Sequence, residues 1–253
     1  MSTQLLELLV VGLAGGSLGA LFGVGGGVIV VPGLILVADL PFTGAVATSL
    51  VCVVATSVAG STVFLRRQVV DLDIAVELQF FAVVGAVVAG LSAAYIPTGP
   101  LYFAFAALLV TTAYHMRPQG ATPGAATEPR SPRRGAARGA SVGAGLVSGL
   151  LGVGGGVLNV PILHLLLGLP FERAVAGSIY IIGVTAGAAA AVYLARGDVH
   201  VTVAGATMLG TVIGAWVTAA WGKKLDQRLL KWGFALLLVA VAIRMVGRGI
   251  AQF

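Results

Sequence analysis

The chain is poor in charge. Asp, Glu, Lys and Arg make up 9% of its 253 residues, against roughly 25% in a soluble domain. With 58% of residues hydrophobic and a mean hydropathy of +1.03, an ordinary water-soluble fold is excluded. Cysteine is nearly absent too. Cys52 stands alone, which rules out an intramolecular disulfide and a cysteine-based structural metal site. Acidic residues number nine and fall mostly at the ends of apolar tracts, so no carboxylate sits mid-helix to bind sodium or a proton. No Ser-Lys or His-Asp pair and no pair of intramembrane aspartates appears. The chain therefore has no catalytic set, no metal set and no sign of a bound cofactor, and it reads as a non-enzyme. Its net charge of +6 gathers at tract ends and in one connector, the pattern of topology signals rather than of a nucleic-acid surface.

What is present is oil in long runs. Apolar tracts cover residues 5–38, 42–65, 74–95, 99–116, 140–169, 174–195, 199–221 and 229–247, each able to cross a hydrocarbon core that needs about 20 residues. Continuous tracts of this length are helices, because only helices and closed barrels satisfy every backbone group in lipid. The expected fold is all-α: a polytopic membrane protein of about eight helical elements. The start, "MSTQLLELLVVGLAGG", lacks a basic leader and is expected to insert as the first helix rather than be cleaved.

The chain is also a duplication. "GVGGGVIVVPG" at Gly23 returns as "GVGGGVLNVPI" at Gly152, a shift of 129 (152 − 23). Over the segments starting at these glycines, "GVGGGVIVVPGLILVADLPFTGAVATSL" and "GVGGGVLNVPILHLLLGLPFERAVAGSI", 17 of 28 positions are identical. The register carries on to Arg67 and Arg196, Gly85 and Gly214, Phe105 and Phe234. Three regions follow: a first transmembrane repeat over 1–116, a basic Pro/Gly/Ala-rich connector over 117–139, and a second repeat over 140–253, with four elements per half. The connector is expected to be a disordered cytoplasmic linker.

Each half opens on a tract too long for one crossing. The first, about 34 residues, would run to roughly 50 Å as a straight helix. It must break, tilt or re-enter, and Gly25, Gly26 and Gly27 mark the place, as do Gly154, Gly155 and Gly156 in the second half. A helix restarting there presents unpaired N–H groups and a positive dipole end, while missing side chains allow close approach by an anion. An oxyanion could thus be held in the membrane without burying a full cation. The simpler alternative, glycines that only let helices pack closely, stays open.

The two glycine motifs, "GLAGGSLGALFGVGGGVIVVP" and "GAGLVSGLLGVGGGVLNVP", the "ATS" and "AGS" that follow them, and the small-residue helices "VVGAVVAG" and "VIGAWVTA" resemble the TauE/SafE sulfite exporter family, also called the 4-toluene sulfonate uptake permease family. The resemblance covers essentially everything but the connector. It implies a secondary transporter of small sulfur-containing anions (sulfite, thiosulfate or organosulfonates) with seven to nine helices in two related halves, in the cytoplasmic membrane. Thiosulfate-moving relatives use cysteines around the pore; this chain departs from that pattern with Cys52 alone.

Beside the glycines, the candidate substrate-binding residues are Ser49 and Ser178, a symmetric hydroxyl pair, and Asn159, which stands where the first half has Val30. The hydroxyls could donate to an oxyanion or bond back to a helix carbonyl. Further cavity or coupling candidates are Thr48, Cys52, Tyr180, Thr185 and His164, the last with a pKa suited to carrying a proton. The expected partners are the lipid bilayer, a small anion and a coupling ion, proton or sodium; a homodimer is left open, and nucleic acid is not expected. A passive anion channel is the alternative, and a membrane-embedded enzyme or scaffold a more distant one. If all eight tracts cross, ten basic residues lie on one face, which would be cytoplasmic with both termini. A re-entrant segment would instead invert the halves and redistribute the charges.

Overall fold

The computed structural model describes residues 2–115, 133–221, 227–250 and 252. Among them there is no strand, and the chain folds as ten helices. The first half holds α1 (Ser2–Phe22), α2 (Gly27–Val37), α3 (Phe42–Arg66), α4 (Leu72–Ser92) and α5 (Thr98–His115). The second holds α6 (Arg134–Leu151), α7 (Gly156–Pro161), α8 (Phe171–Ala195), α9 (Val201–Trp221) and α10 (Gln227–Ile250). The difference from eight elements arises because the first and fifth tracts are each two helices. Helix α6 also begins inside the expected connector, whose residues 117–132 lie outside the described residues.

Boundaries recur with the sequence shift. Helices α3 and α8 are both 25 residues long, start 129 apart, and follow a proline, Pro41 and Pro170, whose fixed φ suits the residue before a helix. Helices α4 and α9 are both 21 residues long at the same offset. One departure is local: α2 is α-helical to Val37, whereas α7 loosens after Pro161 into a π-turn over Ile162–Leu166. Such turns are rare insertions into an α-helix.

The halves interlock. Helix α1 packs on α9 and its counterpart α6 on α4, while α3 crosses α8 and α5 pairs with α10. The first two pairings are backbone-to-backbone. A Cβ at Gly16 would strike the Thr211 carbonyl, and one at the matching Gly145 would strike that of Ala82, so these seams require small residues. Direction follows from the partners. Gly12 meets Thr207 and Gly16 meets Thr211, so α1 and α9 run parallel. Gly60 lies by Ile179, Ser57 by Gly183 and Val54 by Gly187, so α3 and α8 run antiparallel.

Six helices, α1, α3, α4, α8, α9 and α10, are long and apolar enough to cross a membrane. Their outward faces carry Leu6, Phe80, Leu194, Trp216, Leu236 and Ile243, all exposed. Large apolar side chains face outward all around the bundle, which suits a lipid solvent and marks the chain as a multi-pass membrane protein. Ion pairs keep to the helix ends: Arg138 Nε to Glu77 Oε1 at 2.7 Å, Arg196 to Asp198 at 3.1 Å and Arg248 to Asp39 at 3.3 Å.

Candidate functional site

The triple-glycine segments fold as tight left-handed turns. Gly25 and Gly26 have φ of 83°, and Gly154 and Gly155 have 82° and 74°, values that L side chains resist. Two such residues in succession reverse the chain. Helix α2 therefore does not continue α1 but runs back along it: Gly26 sits on Gly19, Val30 on Gly15, and Gly33 on Val11. Each of these two tracts is a helical hairpin that turns back at its glycines. Pro32 and Pro161 lie inside α2 and α7 rather than at their starts, where each removes a donor from the helix ladder.

The two turns meet at the middle of the molecule. A Cβ at Gly25 would fall 3.2 Å from Val53 and 3.1 Å from Ile182, and one at Gly154 would fall 2.6 and 2.7 Å from the same two side chains. Val53 and Ile182 are each the twelfth residue of a 25-residue helix, so the turns sit halfway along α3 and α8. They also touch each other. Gly27 packs on the Gly152 carbonyl and Gly156 on that of Gly23. Helices α2 and α7 start there with no side-chain cap. Among the described residues no backbone carbonyl accepts from the amides of Gly27 and Val28, or of Gly156 and Val157, as the first turn of an uncapped helix dictates.

The symmetric hydroxyls hold these turns. Ser49 Oγ donates to the Gly152 carbonyl at 2.9 Å and Ser178 Oγ to that of Gly23 at 2.8 Å, all buried. Each serine thus binds the turn of the opposite half. Thr185 and its counterpart Thr56 return their hydroxyls to their own helices, at Ile181 O and Cys52 O. Thr48 Oγ1 accepts the His200 N–H at 3.2 Å. Cys52 is fully buried and free.

Other candidates lie apart from the turns. His164, on the π-turn, has Nδ1 at 2.7 Å from the Leu169 carbonyl and its ring edge-on to Phe171, which ties it to the connection entering α8. Tyr180 is half-buried against a second apolar cluster formed with Val175 and Ile179. Among the described residues no three His, Cys, Asp or Glu side chains converge as metal ligands would. A groove of about 560 Å³ runs beside the centre, lined by Val51, Val54 and Val58 of α3, Ala190 and Leu194 of α8, and Met208 of α9.

Of the residues singled out in the sequence, Asn159 is the asymmetric polar one that the fold brings close to a turn. It is 2% exposed, its backbone N–H reaches Gly155 O, and its Nδ2 has no hydrogen-bond partner. Sequence reasoning missed its neighbour in kind, Ser148, which is fully buried on α6 with an equally unpartnered Oγ. The signal was there, since position 148 matches Gly19 of the first half.

Comparison with known proteins gives a consistent result. The family model described as sulfite exporter TauE/SafE matches residues 8–245. The chain is similar to the probable membrane transporter protein YunE of Bacillus subtilis (strain 168), with 25% identity over 270 residues that cover 96% of this chain and 97% of the relative. No solved structure gives a significant match.

Proposed function

The chain belongs to the sulfite exporter TauE/SafE family, and from that premise we propose that it is a secondary transporter moving a small sulfur-containing anion across the cytoplasmic membrane by alternating exposure of one central site. The observation that carries the proposal is the meeting of the two glycine turns, entering from opposite ends of the bundle, halfway along α3 and α8. Related halves that meet mid-membrane on interrupted helices are a recurrent carrier design. At that meeting the bare glycines Gly25–Gly27 and Gly154–Gly156, with the unpaired amides of the helix starts, supply neutral donors to an anion. Ser49 and Ser178 position the turns, and Asn159 adds a side-chain donor from one half only.

The hairpins also bear on orientation. If α1–α2 and α6–α7 re-enter, three helices cross in each half, α3 to α5 and α8 to α10, with the 18-residue apolar α5 crossing in place of α1, and the halves lie inverted in the membrane with both termini on one face. The antiparallel packing of α3 on α8 supports this arrangement. By position in the sequence, 12 of the 15 Lys and Arg then fall on the face of the connector, all but Arg196, Arg244 and Arg248. That face is cytoplasmic on the positive-inside rule, and the termini are extracytoplasmic.

Proteoliposomes test the proposal. Saturable uptake of labelled sulfite, thiosulfate, taurine or sulfoacetate, dependent on a counter-ion gradient, is expected. Ohmic single-channel currents would show a channel instead, and absence of both flux and binding would overturn the transport reading.

A further inference from the structure

The two hairpins differ in how tightly they close. In the first, glycines at 15 and 19 let the α2 turn settle onto the α1 backbone, and a Cβ at Gly26 would lie 2.6 Å from the Gly15 carbonyl. In the second, Ala144 and Ser148 occupy those positions. A Cβ at Gly155 would lie 3.0 Å from the Ala144 carbonyl and 3.3 Å from Ser148 Cβ, so the α6–α7 seam stands wider. Position 30 packs its side chain on residue 15, and the matching Asn159 therefore faces the same seam as Ser148, one helical turn along. Val30 and Gly19 leave the first seam without side-chain polarity. The second holds two buried groups, Ser148 Oγ and Asn159 Nδ2, neither with a partner. An unsatisfied buried polar atom is costly, and two in one seam call for a ligand that satisfies both.

We infer that Ser148 and Asn159 form a two-donor subsite that receives an oxygen of the transported oxyanion, so that specificity resides in the second half. This rests on the transport reading above and deepens it. Both groups can donate and neither carries charge, so the complementary ligand atom is an acceptor bearing negative charge. A carboxylate in place of the amide would repel it.

The test exchanges the seam for its counterpart. Ser148→Gly and Asn159→Val install residues that the first half already accommodates, and Asn159→Asp reverses the electrostatics. Anion-induced thermal shift and titration calorimetry are read on full-length protein in nanodiscs with sulfite, thiosulfate, taurine and sulfoacetate as probes. Wild type should bind at least one probe, Asn159→Val and Ser148→Gly should each weaken it about tenfold or more, and Asn159→Asp should abolish binding. Without anion, Asn159→Val should melt at or above the wild-type temperature, because it removes an unpaired polar group. Unchanged affinity in both exchange variants, as a fixed bridging water would give, overturns the subsite while leaving the transport reading intact. Lowered ligand-free stability with intact binding overturns it in favour of a structural role. Failure of wild type to bind any probe removes the transport reading and the subsite together.

Discussion

Replacing Ser49 or Ser178 by alanine isolates what joins the two halves. Each hydroxyl bridges to a carbonyl of the opposite glycine turn, at 2.9 and 2.8 Å, in a fully buried setting. No described backbone N–H reaches either carbonyl. Truncation therefore removes a hydrogen bond and leaves a buried acceptor unpaired, a loss of ~1–3 kcal/mol in water-soluble proteins. Hydrogen bonds between helices in membranes average nearer ~0.6 kcal/mol, with about 1.7 at the top of the range. The expected cost is thus about 1 kcal/mol per serine, and similar for the two because their geometries match. Thr56→Val and Thr185→Val, which keep the buried volume, provide the control. Their hydroxyls back-bond to carbonyls that already serve their own helices, so removing them should cost less than removing either serine hydroxyl. Reversible unfolding in mixed detergent micelles, followed by tryptophan fluorescence, measures all four. A Ser49→Ala protein as stable as wild type, but no longer shifted by anion, would refute the reasoning and make the hydroxyl a ligand contact.

Gly27→Ala and Gly156→Ala should each prevent accumulation of folded protein, because the new Cβ strikes the carbonyl of the opposite turn, while Gly205→Ala, with open space around it, should be neutral or stabilising by ~0.5–1 kcal/mol in a thermal melt. Cys52→Ala should retain transport, and wild-type Cys52 should resist maleimide until the protein is unfolded, since the thiol is buried; loss of flux on this substitution would reinstate a cysteine mechanism. Green fluorescent protein fused to the C-terminus should stay dark, and alkaline phosphatase there should be active, in keeping with an extracytoplasmic end. A fluorescent C-terminal fusion would reverse the orientation.

Much of this architecture is written in the chain's own spacing. The 129-residue shift places the ends of α3 and α8 and of α4 and α9 to the residue, because a duplicated sequence meets the same packing demands twice. The break at Gly25–Gly27 was legible from tract length and glycine content. Its direction was not, since a left-handed turn reverses the chain only when the returning helix has a surface to lie on. Gly15, Gly19 and Gly33 provide that surface through tertiary contact. Ser49 and Ser178 could be recognised as a pair, but a hydroxyl in an oily helix reads alike whether it serves its own carbonyl, another turn or a ligand. Ser148 escaped notice for a related reason: one serine among small residues is unremarkable until set against Gly19.

The proposed re-entry of both hairpins also changes how the basic residues divide between the membrane faces. Eight full crossings put ten basic residues on one face and five on the other, with Arg173, Lys223, Lys224, Arg228 and Lys231 opposite the connector. Removing one crossing from each half moves those five to the connector's face and takes Arg196, Arg244 and Arg248 from it, leaving 12 of 15 on one side. A split of 12 to 3 is a stronger topology signal than 10 to 5, and it comes from an arrangement reached without reference to charge. Two independent physical constraints, glycine-mediated return of α2 and α7 and the electrostatics of insertion, therefore favour the same inverted arrangement.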